Sequence, residues 1–88
     1  MRTEEEILKD FEKLGWNIAE NYVNFTLKQV KTEYGIFGQV FWYCYIFFDK
    51  DKQTYTAIAN GNFTTKGYDL SIQEHKLLNE LFIIWGWL

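Results

Sequence analysis

Proline is absent from these 88 residues, and cysteine, histidine and arginine occur once each. Cys44 alone cannot close an intramolecular disulfide, and one cysteine with one histidine cannot supply a zinc site. His75 is expected on the surface, where no serine–histidine–acid set can be assembled around it. A phosphate-binding glycine loop and the ligand series of a calcium loop are missing as well. We therefore expect no enzymatic activity, no catalytic residue, no bound metal and no cofactor.

Positive charge is also scarce, because the formal net charge is −3. A partner held mainly through phosphate contacts is disfavoured, since the chain supplies no dense positive field. The longest apolar stretch is shorter than the roughly 20 residues of a membrane-spanning helix. No apolar segment of the signal-peptide type follows Met1. The sequence thus predicts a cytoplasmic protein that contacts no membrane.

Aromatic residues, in contrast, are abundant at 20% of the chain, and 48% of the residues are hydrophobic. Aromatic side chains bury large areas, so a small chain can build a core from few of them. A chain of this length has no room for a second core. We predict one domain over residues 1–88.

Two segments have the start and stop signals of helices. Thr3 and Glu6 form a capping box before the first apolar stripe, and Ser71 and Glu74 form one before the second. Each stripe ends in a Gly-Trp pair, which suits the Schellman motif that closes many helices. We predict helices at about 4–14 and 72–85.

Three strands are predicted between the helices, at about Tyr22–Thr32, Gln39–Phe48 and Gln53–Ala59, because these segments alternate or are rich in β-branched and aromatic residues. The turn signal Asn60-Gly61 introduces a short fourth candidate at Asn62–Thr65. The order α-β-β-β-α predicts an α+β fold. Its sheet would be an antiparallel meander of three or four strands, with two helices packed on one face.

Six of the eleven residues from Gly38 to Phe48 are aromatic. Strand residues alternate between the two faces of a sheet. One set carries no hydroxyl group, and we expect it in the core: Val40, Trp42, Cys44, Ile46 and Phe48. The other set is expected on the outer face: Gln39, Phe41, Tyr43, Tyr45 and Phe47.

The register expected for the middle strand follows from the polar turn at Asp49–Lys52. This turn would pair Phe48 with Gln53 and place the large Trp42 opposite the small Ala59. The first strand would point its odd-numbered residues inward, namely Val23, Phe25 and Leu27. Its even-numbered residues Asn24, Thr26 and Lys28 would then share the outer face with Thr54, Thr56 and Ile58.

The outer face is the candidate binding site. Its predicted residues are Phe41, Tyr43, Tyr45, Phe47, Lys28 and Thr56. Two interpretations stay open at this point. Either the chain covers this aromatic stripe itself, for example with Tyr68 or Trp87, or the stripe is a contact surface. Aromatic side chains with polar tips and few rotamers suit interfaces.

The order of elements resembles that of the double-stranded-RNA-binding domain. That family has a basic cluster at the start of its second helix, where this chain has Asp69-Leu-Ser-Ile-Gln-Glu74. RNA binding is therefore not carried over.

The opening helix, Glu4-Glu-Glu-Ile-Leu-Lys-Asp-Phe-Glu-Lys-Leu-Gly-Trp16, resembles the leading helix of small phage and mobile-element proteins of AT-rich Gram-positive bacteria. The size, acidity and element order are similar to those of some anti-CRISPR proteins. The resemblance implies a cytoplasmic protein that acts by binding a host or phage protein, often as an inhibitor of a host defence enzyme.

The function predicted from the sequence is that of a non-catalytic protein-binding accessory module. Two alternatives stay open. In the first, the aromatic outer face binds single-stranded nucleic acid by base stacking. In the second, the outer face or a strand edge makes a homodimer or larger homo-oligomer.

Overall fold

Both predicted helices are present in the computed structural model, which describes residues 2–20 and 24–88. Helix α1 spans Glu4–Lys13 and helix α2 spans Ile72–Ile84. Both capping boxes are confirmed. The Thr3 hydroxyl accepts from the Glu6 backbone N–H, and the Ser71 hydroxyl accepts from that of Glu74.

The Gly-Trp endings close the helices as predicted. Gly15 has a φ of 98° and Gly86 a φ of 76°, a backbone conformation that glycine adopts without steric cost. The Trp16 N–H donates to the Phe11 carbonyl at 3.0 Å, and the Trp87 N–H donates to the Phe82 carbonyl at 2.8 Å. These are the long hydrogen bonds of the Schellman motif.

Among the described residues, five antiparallel strands lie between the helices: β1 (Asn17–Ile18), β2 (Thr26–Gly35), β3 (Gly38–Asp49), β4 (Thr54–Asn60) and β5 (Thr65–Gly67). They form one sheet in chain order, so the predicted α+β class and meander are confirmed. The strand count of three or four was too low, because β1 is a two-residue strand without a sequence signal. The fourth candidate at Asn62–Thr65 was placed too early, since only its last residue, Thr65, belongs to β5. Tyr22 and Val23 lie outside the described residues.

The contacts divide the chain into two compact units. The helical unit comprises the residues up to Trp16 together with Leu70–Leu88. The sheet unit is Asn17–Asp69. The single domain and the packing of both helices on one face of the sheet stay predictions.

The predicted register between β3 and β4 was wrong by two residues. Asp49 pairs with Thr54 and Phe48 pairs with Tyr55, whereas Phe48 was expected opposite Gln53. The cause is the turn between the strands. The Asp49 carboxylate accepts the backbone N–H groups of Asp51 and Lys52, each at 3.1 Å, and Gln53 takes a left-handed φ of 56°. A shift of two residues leaves every side chain on its predicted face.

The predicted inward set of β3 is confirmed at Cys44, Ile46 and Phe48, which are each at most 1% exposed. Val40 and Trp42 are corrections, because each is only half-buried. Strand β4 ends opposite Tyr43 and therefore does not flank Trp42.

Thr26 lies on its predicted outer face, where it pairs with Phe47, but it is only 1% exposed. Its hydroxyl donates to the Asn24 carbonyl at 3.1 Å, so the buried polar group is satisfied within its own segment.

The helical unit is joined by polar contacts that sequence patterns did not reveal. Arg2 donates to Asp10 and to Glu80, and the Trp85 indole N–H donates to Glu4 at 2.6 Å. The hydrogen bond from Arg2 holds the pKa of Asp10 below its ordinary value of 3.8. The hydrogen bonds from Thr3 likewise lower the pKa of the Glu6 carboxyl.

These lowered pKa values predict a contribution to stability that acid removes. A carboxylate with a lower pKa in the folded state stabilises that state above its unfolded pKa. The contribution is lost as the pH falls through the lower folded pKa. We expect Arg2→Gln to melt below the wild-type temperature at pH 7 and the difference to shrink from about pH 4 downward. Calorimetry at several pH values measures it. A difference in melting temperature that persists at pH 2 would contradict the assignment of this stabilisation to the ionised carboxylates.

Candidate functional site

The outer face of the sheet brings together all six residues of the predicted site. Cross-strand pairing places Tyr45 next to Lys28 on one side and Ile58 on the other. Phe47 lies in the same way between Thr26 and Thr56. Phe41 and Tyr43 continue the stripe toward the hairpin that joins β2 and β3. The face assignment is therefore confirmed, while the binding role of these residues stays a prediction.

The stripe is not uniformly accessible. Tyr45 and Phe47 are half-buried and stack on each other, with ring centroids 5.4 Å apart and planes 16° apart. Phe41 and Tyr43 are 43% and 47% exposed. The accessible part of the aromatic stripe is therefore its end nearest the β2–β3 hairpin.

Two residues of β2 enlarge this accessible end. Val30 is paired with Tyr43 and is 55% exposed, and Tyr34 is paired with Gln39 and is 86% exposed. Both occupy even-numbered positions of β2, so they share the outer face with Phe41 and Tyr43. We call the group of Val30, Tyr34, Phe41 and Tyr43 the distal patch.

The sequence prediction missed Tyr34 because it ended the first strand at Thr32. Val30 lies within that predicted strand but was not named among the residues of the outer face. The strand continues to Gly35, which pairs with Gly38 across a two-residue turn. A signal was present in the sequence: Gly35-Ile-Phe-Gly38 has glycine on both sides of the turn, which suits a tight hairpin. Extending the alternation of β2 to this turn would have placed Tyr34 on the outer face.

The distal patch is exposed because the β2–β3 hairpin extends past the end of β4. Asn60, the last residue of β4, pairs with Tyr43, whereas β3 begins at Gly38. Every residue from 30 to 39 is exposed. At the turn, Ile36 is 97% and Phe37 102% exposed. We call this projecting part of β2 and β3, residues 30–42, the distal ribbon.

The opposite face of the distal ribbon is polar and is organised around Trp42. The indole N–H of Trp42 donates to Glu33 at 3.1 Å, and the Lys66 ammonium lies 4.1 Å from the centre of the ring. A β-carbon added to Gly61 would come within 2.9 Å of the same ring, so only glycine fits this contact without a shift. Lys31 lies 4.7 Å from the centre of the Tyr68 ring. A shallow cavity of about 260 Å³ is lined by the side chains of Lys31, Glu33, Trp42, Lys66 and Tyr68 together with Ala59, Gly67 and Asp69.

The arrangement separates charge from exposed apolar surface. Lys31 and Lys66 contact aromatic rings on the face of Trp42, opposite the distal patch. Lys28 is the basic residue that the outer face carries next to its aromatic stripe. The distal patch thus presents apolar and aromatic groups with little positive charge.

Metal-ligating side chains are not clustered in the described residues. Cys44 is buried, His75 is exposed at the start of α2, and no cluster of three or more metal-ligating side chains occurs there. In the same part of the chain, neither helix has the length and apolar character needed to cross a membrane.

Comparison of the chain with protein-family models, with curated proteins and with solved structures finds no match.

Proposed function

We propose that this chain is a non-catalytic protein-binding module whose contact surface is the outer face of the sheet, centred on the distal patch. The observation that carries the proposal is the exposure of four neighbouring apolar or aromatic side chains on one face of a projecting hairpin. Exposed apolar clusters on small proteins commonly mark interaction sites. Tyrosine and phenylalanine gain contact area with little loss of rotamer entropy.

The other residues predicted for the site have supporting roles in this proposal. Tyr45 and Phe47 form a stacked, half-buried base beside the distal patch. Lys28 and Thr56 are exposed at the borders of the stripe, where polar residues surround the apolar centre of many interfaces. Action as an inhibitor of a host defence enzyme, as in phage and anti-CRISPR proteins, is one form that such binding would take.

A matched pair of tyrosines tests the proposal. Tyr43 lies in the distal patch and is 47% exposed, whereas Tyr55 is 40% exposed on the opposite face of the same sheet. In affinity capture from a Gram-positive lysate, we expect a partner that wild type and Tyr55→Ala retain. Tyr43→Ala should retain it at least about tenfold less well, as expected for a central interface aromatic.

Equal retention by both variants would contradict the proposed surface, and capture of no specific partner would contradict the protein-binding function. The same variants also test the two alternatives, homo-oligomerisation and the binding of single-stranded nucleic acid. Sedimentation across concentrations detects a homodimer. Anisotropy of a labelled single-stranded oligonucleotide detects stacking on Tyr43, down to the roughly 100 µM affinity of weak non-specific complexes. Oligonucleotide binding that Tyr43→Ala abolishes would replace the proposal by nucleic-acid recognition.

A further inference from the structure

The edge of β3 in the distal ribbon has no neighbouring strand within the described chain. Strand β2 pairs with β3 along its whole length on one side. On the other side β4 stops at Asn60, opposite Tyr43, so the five residues Gly38–Trp42 lie beyond it. This open edge is about 17 Å long at the usual rise of an extended strand.

The backbone groups that face the open edge can be identified from the hydrogen-bonding pattern. The N–H of Phe48 donates to Phe25, so even-numbered residues of β3 point their backbone groups toward β2. Successive residues of a strand point these groups to opposite sides. Gln39 and Phe41 therefore direct their N–H and C=O groups outward, into the space that β4 would occupy if it continued. No hydrogen bond of the described residues uses these groups.

The open edge of β3 differs from the other edges of the sheet. Natural proteins protect exposed edges with charged residues, proline or very short strands. The other edge of the distal ribbon carries Lys31 and Glu33, and the outermost strand β5 has three residues, including Lys66. The segment Gly38-Gln-Val-Phe-Trp42 has no charge and no proline. A two-stranded ribbon is also marginally stable by itself and gains from a third strand.

We infer that the edge at Gly38–Trp42 takes up an extended, uncharged segment of a partner protein as an added strand. Gln39 and Phe41 supply the backbone hydrogen bonds. Alternate side chains of the added strand lie beside Phe41 on the outer face and beside Val40 on the other. Apolar β-branched or aromatic residues suit both positions, because cross-strand neighbours of these types stabilise a sheet. The inference rests on the proposed function and specifies how the partner is held.

A partner segment fits this edge better than a second copy of the chain. The turn after β4 closes one end of the open space, since Gly61 lies against the Trp42 ring. A second copy using the same edge would bring its own hairpin turn, with Ile36 and Phe37, toward this closed end. A single extended segment enters from the open end and needs room for one strand only.

The test uses a displayed library of linear eight-residue peptides and two proline variants. Gln39→Pro removes an N–H that faces the open edge of β3. Thr32→Pro removes an N–H that faces the opposite edge of the same ribbon. On that side of β2 the Ala19 N–H donates to the Thr26 carbonyl, so the even-numbered residues of β2, including Thr32, point their backbone groups toward that edge. Neither substitution removes a hydrogen bond between β2 and β3, so the ribbon is expected to fold in both.

We expect selected peptides with alternating apolar residues to bind wild type and Thr32→Pro equally. Gln39→Pro should bind them about tenfold more weakly, because it loses a hydrogen bond and blocks the edge. Hydrogen exchange on the wild type supplies a second measurement, in which peptide slows exchange at the Gln39 and Phe41 amides. If Gln39→Pro does not fold, hydrogen exchange at the Gln39 and Phe41 amides of the wild type is the deciding measurement. Exchange rates that the peptide leaves unchanged would overturn the inference.

Other outcomes also overturn the inference and are distinguishable from failure of the proposed function. Peptides that bind Gln39→Pro as well as wild type would show recognition by the face and not by the edge. A library that yields no binder would exclude binding of an added strand. Affinity capture of a partner that depends on Tyr43 would still support the proposed protein-binding function. A concentration-dependent dimer that Gln39→Pro abolishes and Thr32→Pro retains would make a second copy the occupant.

Discussion

Replacing Phe48 by alanine is expected to lower the free energy of unfolding by about 3–5 kcal/mol, the range for truncating a fully buried phenylalanine. Phe48 is 1% exposed, and its ring lies 5.5 Å from that of Phe25 and 6.5 Å from that of Tyr55, centre to centre. Alanine would lose these contacts and leave a cavity. Since small domains are stable by about 5–15 kcal/mol, the loss is a large share of the total.

The neighbouring residue provides the control for this prediction. Phe47 points to the opposite face and is half-buried. We expect Phe47→Ala to cost about 1–2 kcal/mol, since less apolar area is removed from water there. Urea unfolding followed by circular dichroism measures both variants. A larger loss for Phe47→Ala than for Phe48→Ala would mean that the core lies on the other face of β3.

Replacing Glu74 by alanine is expected to cost about 2–4 kcal/mol, through two separate losses. One carboxylate oxygen accepts the backbone N–H of Ser71 at 2.7 Å and completes the capping box of α2. The other accepts the indole N–H of Trp16, which is 1% exposed. Alanine removes the cap and leaves a buried donor without an acceptor, which costs more than the loss of an exposed hydrogen bond.

Glu6 supplies a matched control, because it completes the same capping box at the start of α1 and is exposed. We expect Glu6→Ala to cost about 0.5–1 kcal/mol. Glu74→Gln should fall between the two alanine variants, because its amide keeps one acceptor oxygen and turns its donor toward the other contact. Urea titrations give all three values. Equal costs for Glu6→Ala and Glu74→Ala would show that the Trp16 hydrogen bond contributes nothing.

The two capping boxes and the two Gly-Trp endings were predictable because they are local. A serine or threonine three residues before a glutamate satisfies backbone groups of its own first turn, whatever surrounds the helix. Glycine after the last turn adopts a left-handed conformation for the same local reason. The two faces of β3 were also predictable, since alternation needs only the identity of each residue.

Pairing between distant segments was not predictable in the same way. The β3–β4 register depends on a turn in which the Asp49 side chain binds two backbone N–H groups, and this moved the pairing by two residues. The burial of Glu74 depends on Trp16, 58 positions away in the chain. A hydrogen bond of that span leaves no local pattern, because any exposed glutamate at the third helical position would serve the cap equally well.

The same distinction between local and long-range features applies to the candidate site. The amino-acid sequence by itself determined that β3 has an aromatic outer face, because a period of two sorts its side chains. Only the tertiary structure decided which part of that face is accessible. Strand β4 ends at Asn60, opposite Tyr43, while β2 and β3 continue to Gly35 and Gly38. The ends of paired strands are set by where each chain segment turns, so the open edge at Gln39 and Phe41 exists only in the folded sheet.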